Sequence, residues 1–88
     1  MGWTRITYSR WTEMLESSKN PREYNGSSPG GVAAELGVSR QSVHKAIERG
    51  DLDAWRVERD GTRKLVAIIV KPESVERYRA IRELRDAG

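Results

Sequence analysis

Apolar residues recur at spacings of three and four in three stretches of the chain and alternate or run together in a fourth, which divides it into helices and a hairpin. Over residues 8 to 19, Tyr8, Trp11, Met14 and Leu15 form a stripe roughly 120° wide, predicting an amphipathic helix capped by Thr7 or Ser9. The stripe is expected to pack against the helices that follow. Over residues 29 to 49, PGGVAAELGVSRQSVHKAIER reads as two short helices. Ser28 can cap the first, and Pro29 at the first helical position gives up an N–H that has no helical partner. Val32, Ala33 and Leu36 share one face, and Ala33 is small enough for a second helix to cross closely. Gly37 suits the left-handed residue that ends a helix, Val38 plugs the turn, and Ser39 caps the second helix. That helix, Arg40 to Arg49, turns Val43, Ala46 and Ile47 inward and stops at Gly50. Gln41, Lys45 and Glu48 then point away from the core, with His44 on one flank and Ser42 and Arg49 on the other.

Residues 17 to 31, SSKNPREYNGSSPGG, predict a long irregular connection, either pinned by Tyr24 or ordered only on binding. After Gly50, LDAWRVERDGTRKLVAIIV reads as two strands around Asp60-Gly61. A two-residue turn sets Trp55 opposite Val66, and a three-residue loop sets it opposite Leu65. The apolar run Leu65 to Val70 predicts a strand covered on both faces. Residues 72 to 86 predict a final helix opened by Pro72 and Glu73, with Val75, Tyr78, Ile81 and Leu84 along one edge and an ion-paired outer face. Dimerisation through this helix is the lesser alternative.

The chain has 88 residues, enough for one small core and not two. The expected organisation is an N-terminal helix and connection over residues 1–27, packed on or flanking a domain over residues 28–88. There is no cysteine and a single histidine, which excludes a thiolate metal site or a disulfide framework, and no metal is expected. No apolar run has the length of a membrane span and no signal-peptide core is evident, so a soluble, cytoplasmic protein is expected. The net charge of +3 favours an anionic partner, but placement matters more than the sum. Between positions 40 and 64, seven cations are interspersed with Glu48, Asp51, Asp53, Glu58 and Asp60. Folding has to sort these signs onto different faces if the cations are to meet DNA.

With VAAELGVSRQSVHKAIERGDLDAWRV, the hairpin and KPESVERY in view, the chain from Ser28 to Leu84 resembles the winged helix-turn-helix domains of the excisionase and MerR-like superfamily. The alanine before the turn, Gly-Val-Ser within it and the Gly-x-Leu-x-Ala-x-x-Val link into the hairpin carry the resemblance. It implies an α+β, mainly α fold with a two-stranded wing, and a sequence-specific double-stranded DNA-binding protein, either a small transcriptional regulator or an excisionase-like architectural factor. Helix 40–49 would lie in the major groove and the 58–64 wing on the backbone or minor groove. Carried over residue by residue, Ser39, Arg40, Gln41, Ser42, His44 and Lys45 would be helix contacts, and Arg59, Thr62, Arg63 and Lys64 wing contacts. Arg40 can pair with guanine O6 and N7, and Gln41 with adenine N6 and N7, while the serines, Lys45 and the wing cations suit phosphates. A homodimer or a cooperative array on DNA is compatible with this resemblance. Neither cofactor nor small-molecule effector is expected, because the chain stops before the longer helix and effector region of MerR regulators.

A protein-interaction adaptor on the same fold, such as a phage or plasmid accessory protein, is the alternative. An exposed Tyr8, Trp11 and Leu15 stripe combined with neutralised Arg63 and Gln41 surfaces would favour it. Catalysis is not expected, since Ser39 and His44 have no recognisable orienting carboxylate or oxyanion-forming loop.

Overall fold

Three hydroxyl side chains start three of the helices. In the computed structural model, which describes residues 2–87, Thr7 Oγ1 accepts the Arg10 N–H at 3.3 Å, Ser28 Oγ that of Gly31 at 3.2 Å and Ser39 Oγ that of Ser42 at 3.0 Å. Each side chain satisfies a first-turn donor with no partner inside its helix. The helices are α1 (Tyr8–Ser17), α2 (Pro29–Leu36) and α3 (Arg40–Arg49). Gly37 and Gly50 end α2 and α3 at φ values of 70° and 86°, a conformation in which a Cβ would crowd the following carbonyl. Val32, Ala33, Val43, Ala46 and Ile47 meet between α2 and α3 and are buried, as their spacing predicts.

The sheet has three strands, one more than the hairpin alone supplies. Trp3–Thr7 forms β1, Ala54–Glu58 forms β2 and Leu65–Val70 forms β3, in the order β1-β2-β3. β1 runs parallel to β2, with Trp3 beside Ala54, and β3 runs antiparallel to it. Alternation along β2 sends Ala54 and Arg56 to one face and Trp55 and Val57 to the other. On the Ala54 face the sheet closes a core with α2, α3 and the start of α4 (Pro72–Ala87), joined by Leu52, Val70, Val75 and, at its margin, Trp3.

On the opposite face, Tyr24 of a short 3-10 helix, Pro21–Tyr24, stacks on Trp55 with ring centroids 4.8 Å apart, and the Lys71 ammonium lies 4.2 Å from the Trp55 ring centre. The Trp55 indole N–H donates to the Glu23 carbonyl at 3.0 Å and that of Trp11 to the Tyr24 carbonyl at 2.8 Å. The long connection is therefore pinned by Tyr24, one of its two expected fates. The same bonds correct the expectation for α1: its stripe packs on this connection and the sheet rather than on the helix pair, and none of its residues is fully buried. α1 also ends at Ser17, two residues early, where Ser18 turns to extended backbone.

The hairpin differs from both predicted registers. Trp55 faces Ile69, a bulge lies between Val57 and Glu58, and residues 60–63 form the loop, closed by Arg59 N–H to Lys64 C=O at 2.9 Å. A tight two-residue turn of the expected kind needs positive φ at both Asp60 and Gly61. Only Gly61 has it, at 74°, so Asp60-Gly61 instead forms the centre of a β-turn, closed by Thr62 N–H to Arg59 C=O at 3.1 Å, inside the longer loop. Nor is β3 covered on both faces: Leu65 is 46% and Val66 48% exposed, because β3 is an outer strand and the helices reach only its far end. Along α4, Val75 is buried and Leu84 is 76% exposed. Three α4 arginines reach other parts of the chain: Arg77 pairs with Asp53 at 3.1 Å, Arg79 with Glu35, and Arg82 donates to the Leu36 carbonyl at 3.2 Å. Among the described residues no helix is long and apolar enough to cross a membrane.

Gly2 fastens β1 to the rest. Its N–H donates to the Ile47 carbonyl at 3.0 Å, its carbonyl accepts from Ala54 N–H at 2.7 Å, and an added Cβ would lie 1.9 Å from the Leu52 carbonyl oxygen. Backbone on both sides leaves no flexible neighbour to yield. Gly2→Ala is expected to lower unfolding free energy by roughly 1–3 kcal/mol, the usual cost of overpacking, measured by urea denaturation. An unchanged midpoint would mean that β1 does not dock in this way.

Candidate nucleic-acid interface

The inward set Val43, Ala46 and Ile47 fixes the rotation of α3, so that Arg40, Gln41, Ser42, Lys45, Glu48 and Arg49 are exposed and His44 is half-buried. The first two turns of this face carry the six helix residues singled out from sequence, and they are not equivalent. Ser39 Oγ accepts the Ser42 N–H and shares a 2.8 Å hydrogen bond with Ser42 Oγ, so both hydroxyls are committed to starting the helix. Arg40 folds back over the first turn of α2, where a Cβ on Gly30 would come within 3.0 Å of its guanidinium. The His44 ring lies 6.1 Å from that of Trp3. Gln41 and Lys45 project freely.

An open groove joins this face to the hairpin. It is bounded by Pro29 and Gly30 of α2, Arg40 and His44 of α3, and Leu65 and Ala67 of β3. Arg59, Thr62, Arg63 and Lys64 are all exposed at the hairpin's end. Thr62 is again partly committed, since its hydroxyl accepts the Lys64 N–H at 3.2 Å and shapes the loop. Of the ten singled-out residues this groove brings together Arg40 and His44, while Arg59 lines a separate open cleft with Tyr8, Ser9, Asp60 and Val66.

Folding sorts the interspersed charges. Asp51 pairs with Arg49 at 3.0 Å and Asp53 with Arg77 at 3.1 Å. Glu58, whose side chain is 9% exposed, takes Arg5 Nε at 2.9 Å on one oxygen and Arg56 Nε at 3.0 Å on the other. Asp60 accepts the Ser9 N–H at 3.0 Å. Four of the five carboxylates between positions 48 and 60 are engaged in this way. Among the described residues Arg40, Lys45, Arg59, Arg63 and Lys64 have no carboxylate partner. Glu48 also lacks an ion pair there and is exposed near the C-terminal end of α3, so the unpaired cations of the helix, Arg40 and Lys45, lie in its first two turns.

The chain matches no protein-family model, no curated protein and no solved structure. Among the described residues no three or more His, Cys, Asp or Glu side chains gather as a metal site would require.

Sequence reasoning passed over Arg5 and met Glu58 and Asp60 only as interspersed acids and, for Asp60, as half of the turn; the three shape the hairpin at its root and tip. The only signal for the first was the alternation Trp3, Arg5, Thr7, and its partner lies 53 residues away. Hydrogen bonds from Arg5, then from Arg56, hold the Glu58 carboxyl below its ordinary value of 4.5 despite burial, and Ser9 likewise holds Asp60 below 3.8. Both groups therefore bind protons less readily folded than unfolded. Their stabilisation is complete above the ordinary carboxyl values and is lost as pH falls through the lowered folded ones. Denaturation midpoints should hold steady down to about pH 5 and then decline, and Glu58→Gln should flatten that decline while lowering stability near neutrality. An unaltered acid limb in Glu58→Gln would contradict the pairing.

Proposed function

We propose that the protein binds double-stranded DNA as a winged helix-turn-helix module, with α3 entering the major groove and the hairpin following the backbone or minor groove as a wing. The observation that carries this reading is the distribution of charge: five cations on α3 and the hairpin have no carboxylate partner, while Asp51, Asp53 and Glu58 are taken up by arginines. A helix face with Gln41 and Lys45 free, beside a cationic loop, meets a polyanion that also displays hydrogen-bonding base edges.

In this reading Gln41 and Arg40 read bases, and Lys45, Arg59, Arg63 and Lys64 hold phosphates. Ser39, Ser42 and Thr62 act through the shape of the helix start and loop, and His44 lines the groove between them. The mechanism is binding alone, as of a small regulator or an architectural factor, with no cofactor. A homodimer or an array on DNA is compatible with it, and the cytoplasm is the expected compartment. The adaptor reading draws on the exposed Tyr8, Leu65 and Val66. It also requires a neutralised cationic face, and Trp11, Met14 and Leu15 are already half covered by the chain itself.

Fluorescence anisotropy on duplex DNA across a salt series tests the proposal. With five phosphates neutralised, log affinity should fall against log salt with a slope near −4.5, about 500-fold between 50 and 200 mM. Gln41→Ala should relax sequence preference at a cost of roughly 1–3 kcal/mol, whereas Arg63→Ala should weaken all sequences alike and reduce the slope by about 0.9. Absence of binding, or binding indifferent to salt, would overturn it.

A further inference from the structure

Asp60 is out of place on a surface that meets DNA. It stands exposed among Arg59, Arg63 and Lys64, where its charge repels phosphate. Yet among the described residues its bond to the Ser9 N–H, 3.0 Å long and spanning 51 positions, is the only hydrogen bond that ties segment 59–64 to anything outside the hairpin. Ser9 lies in the first turn of α1, where an N–H has no acceptor within the helix and the helix dipole favours a carboxylate. Thr7 satisfies another of those donors, and Thr7 is also the last residue of β1.

Resting on the DNA-binding reading, we infer that Asp60 is a positioning residue through which β1 and α1 brace the wing tip and so set affinity without touching DNA. A closed circuit of contacts supports the brace. Glu58 at the hairpin's root binds Arg5 of β1, β1 leads directly into α1, and α1 returns to Asp60 at the tip. Root and tip of the loop are thereby held from one continuous segment, β1 followed by α1. The lowered pKa of Asp60 agrees with a carboxylate kept charged by this contact. The N-terminal segment acquires a task that its own side-chain chemistry does not announce.

Charge and positioning predict opposite signs, which makes the inference testable with Asp60→Ala and Asp60→Asn. Both remove a negative charge from the cationic surface, and on charge alone both bind DNA more tightly than the parent. Only Asn keeps an acceptor oxygen for Ser9. The brace predicts that Asp60→Asn binds at least as tightly as the parent while Asp60→Ala binds about three- to tenfold more weakly, with melting temperatures confirming that both fold. In the absence of DNA, amide hydrogen exchange across residues 61–64 should quicken in Asp60→Ala and not in Asp60→Asn. Equal or tighter binding by Asp60→Ala would overturn the inference, as would unchanged exchange. Failure of the parent to bind any duplex defeats the DNA reading instead, and the exchange comparison then decides the brace by itself.

Discussion

Burying both faces of β2 while pairing both of its edges organises the molecule. Ala54 and Val57 are fully buried and point to opposite sides, so the strand needs a layer on each. The helix pair and the start of α4 supply one layer, and Tyr24 stacked on Trp55, with α1 behind, supplies the other. Its edge backbone groups must also find partners, since an unpaired buried N–H or C=O costs about as much as a lost hydrogen bond. β3 meets one edge through the hairpin, and β1 meets the other from the far end of the chain.

This requirement marks the boundary of what was legible in the sequence. Helices α2 and α3 were readable because everything that determines them is local: Ser28 and Ser39 as caps, Gly37 and Gly50 as stops, and the three- and four-residue spacing of Val32, Ala33, Val43, Ala46 and Ile47. β1 was not, because a short parallel strand takes its pairing from a partner distant in sequence and leaves no turn signal. The register failed for a related reason. Asp-Gly is a strong local sign of a tight turn, but Ser9, at the start of a remote helix, holds the Asp60 side chain, and Asp60 keeps negative φ. Six consecutive apolar residues in β3 promised two covered faces, yet such a run specifies hydrophobicity and not the reach of the neighbouring helices.

The candidate site shows the same division. Exposure of Gln41, Lys45, Arg59, Arg63 and Lys64 follows from helix rotation and hairpin position, both legible from the pattern. Which charges remain unpaired is a tertiary property. Asp53 is neutralised by Arg77 of α4 and Glu58 by Arg5 of β1, and neither pairing has a sequence signature. Hydroxyl groups that looked available, on Ser39, Ser42 and Thr62, prove to be employed in local backbone geometry. The N-terminal segment, which resemblance to winged domains leaves without a role, completes the sheet and reaches the hairpin at both root and tip.

On the proposed reading, the first two turns of α3 and the hairpin tip are the parts of the molecule that meet the nucleic acid. Amide chemical-shift mapping during titration with duplex DNA tests it most directly. The account predicts that perturbations concentrate at Arg40–Lys45 and Arg59–Lys64 and leave the ion-paired arginines of α4 unmoved. Perturbations centred on α4 or on the Tyr8 surface, with the α3 face silent, would contradict it.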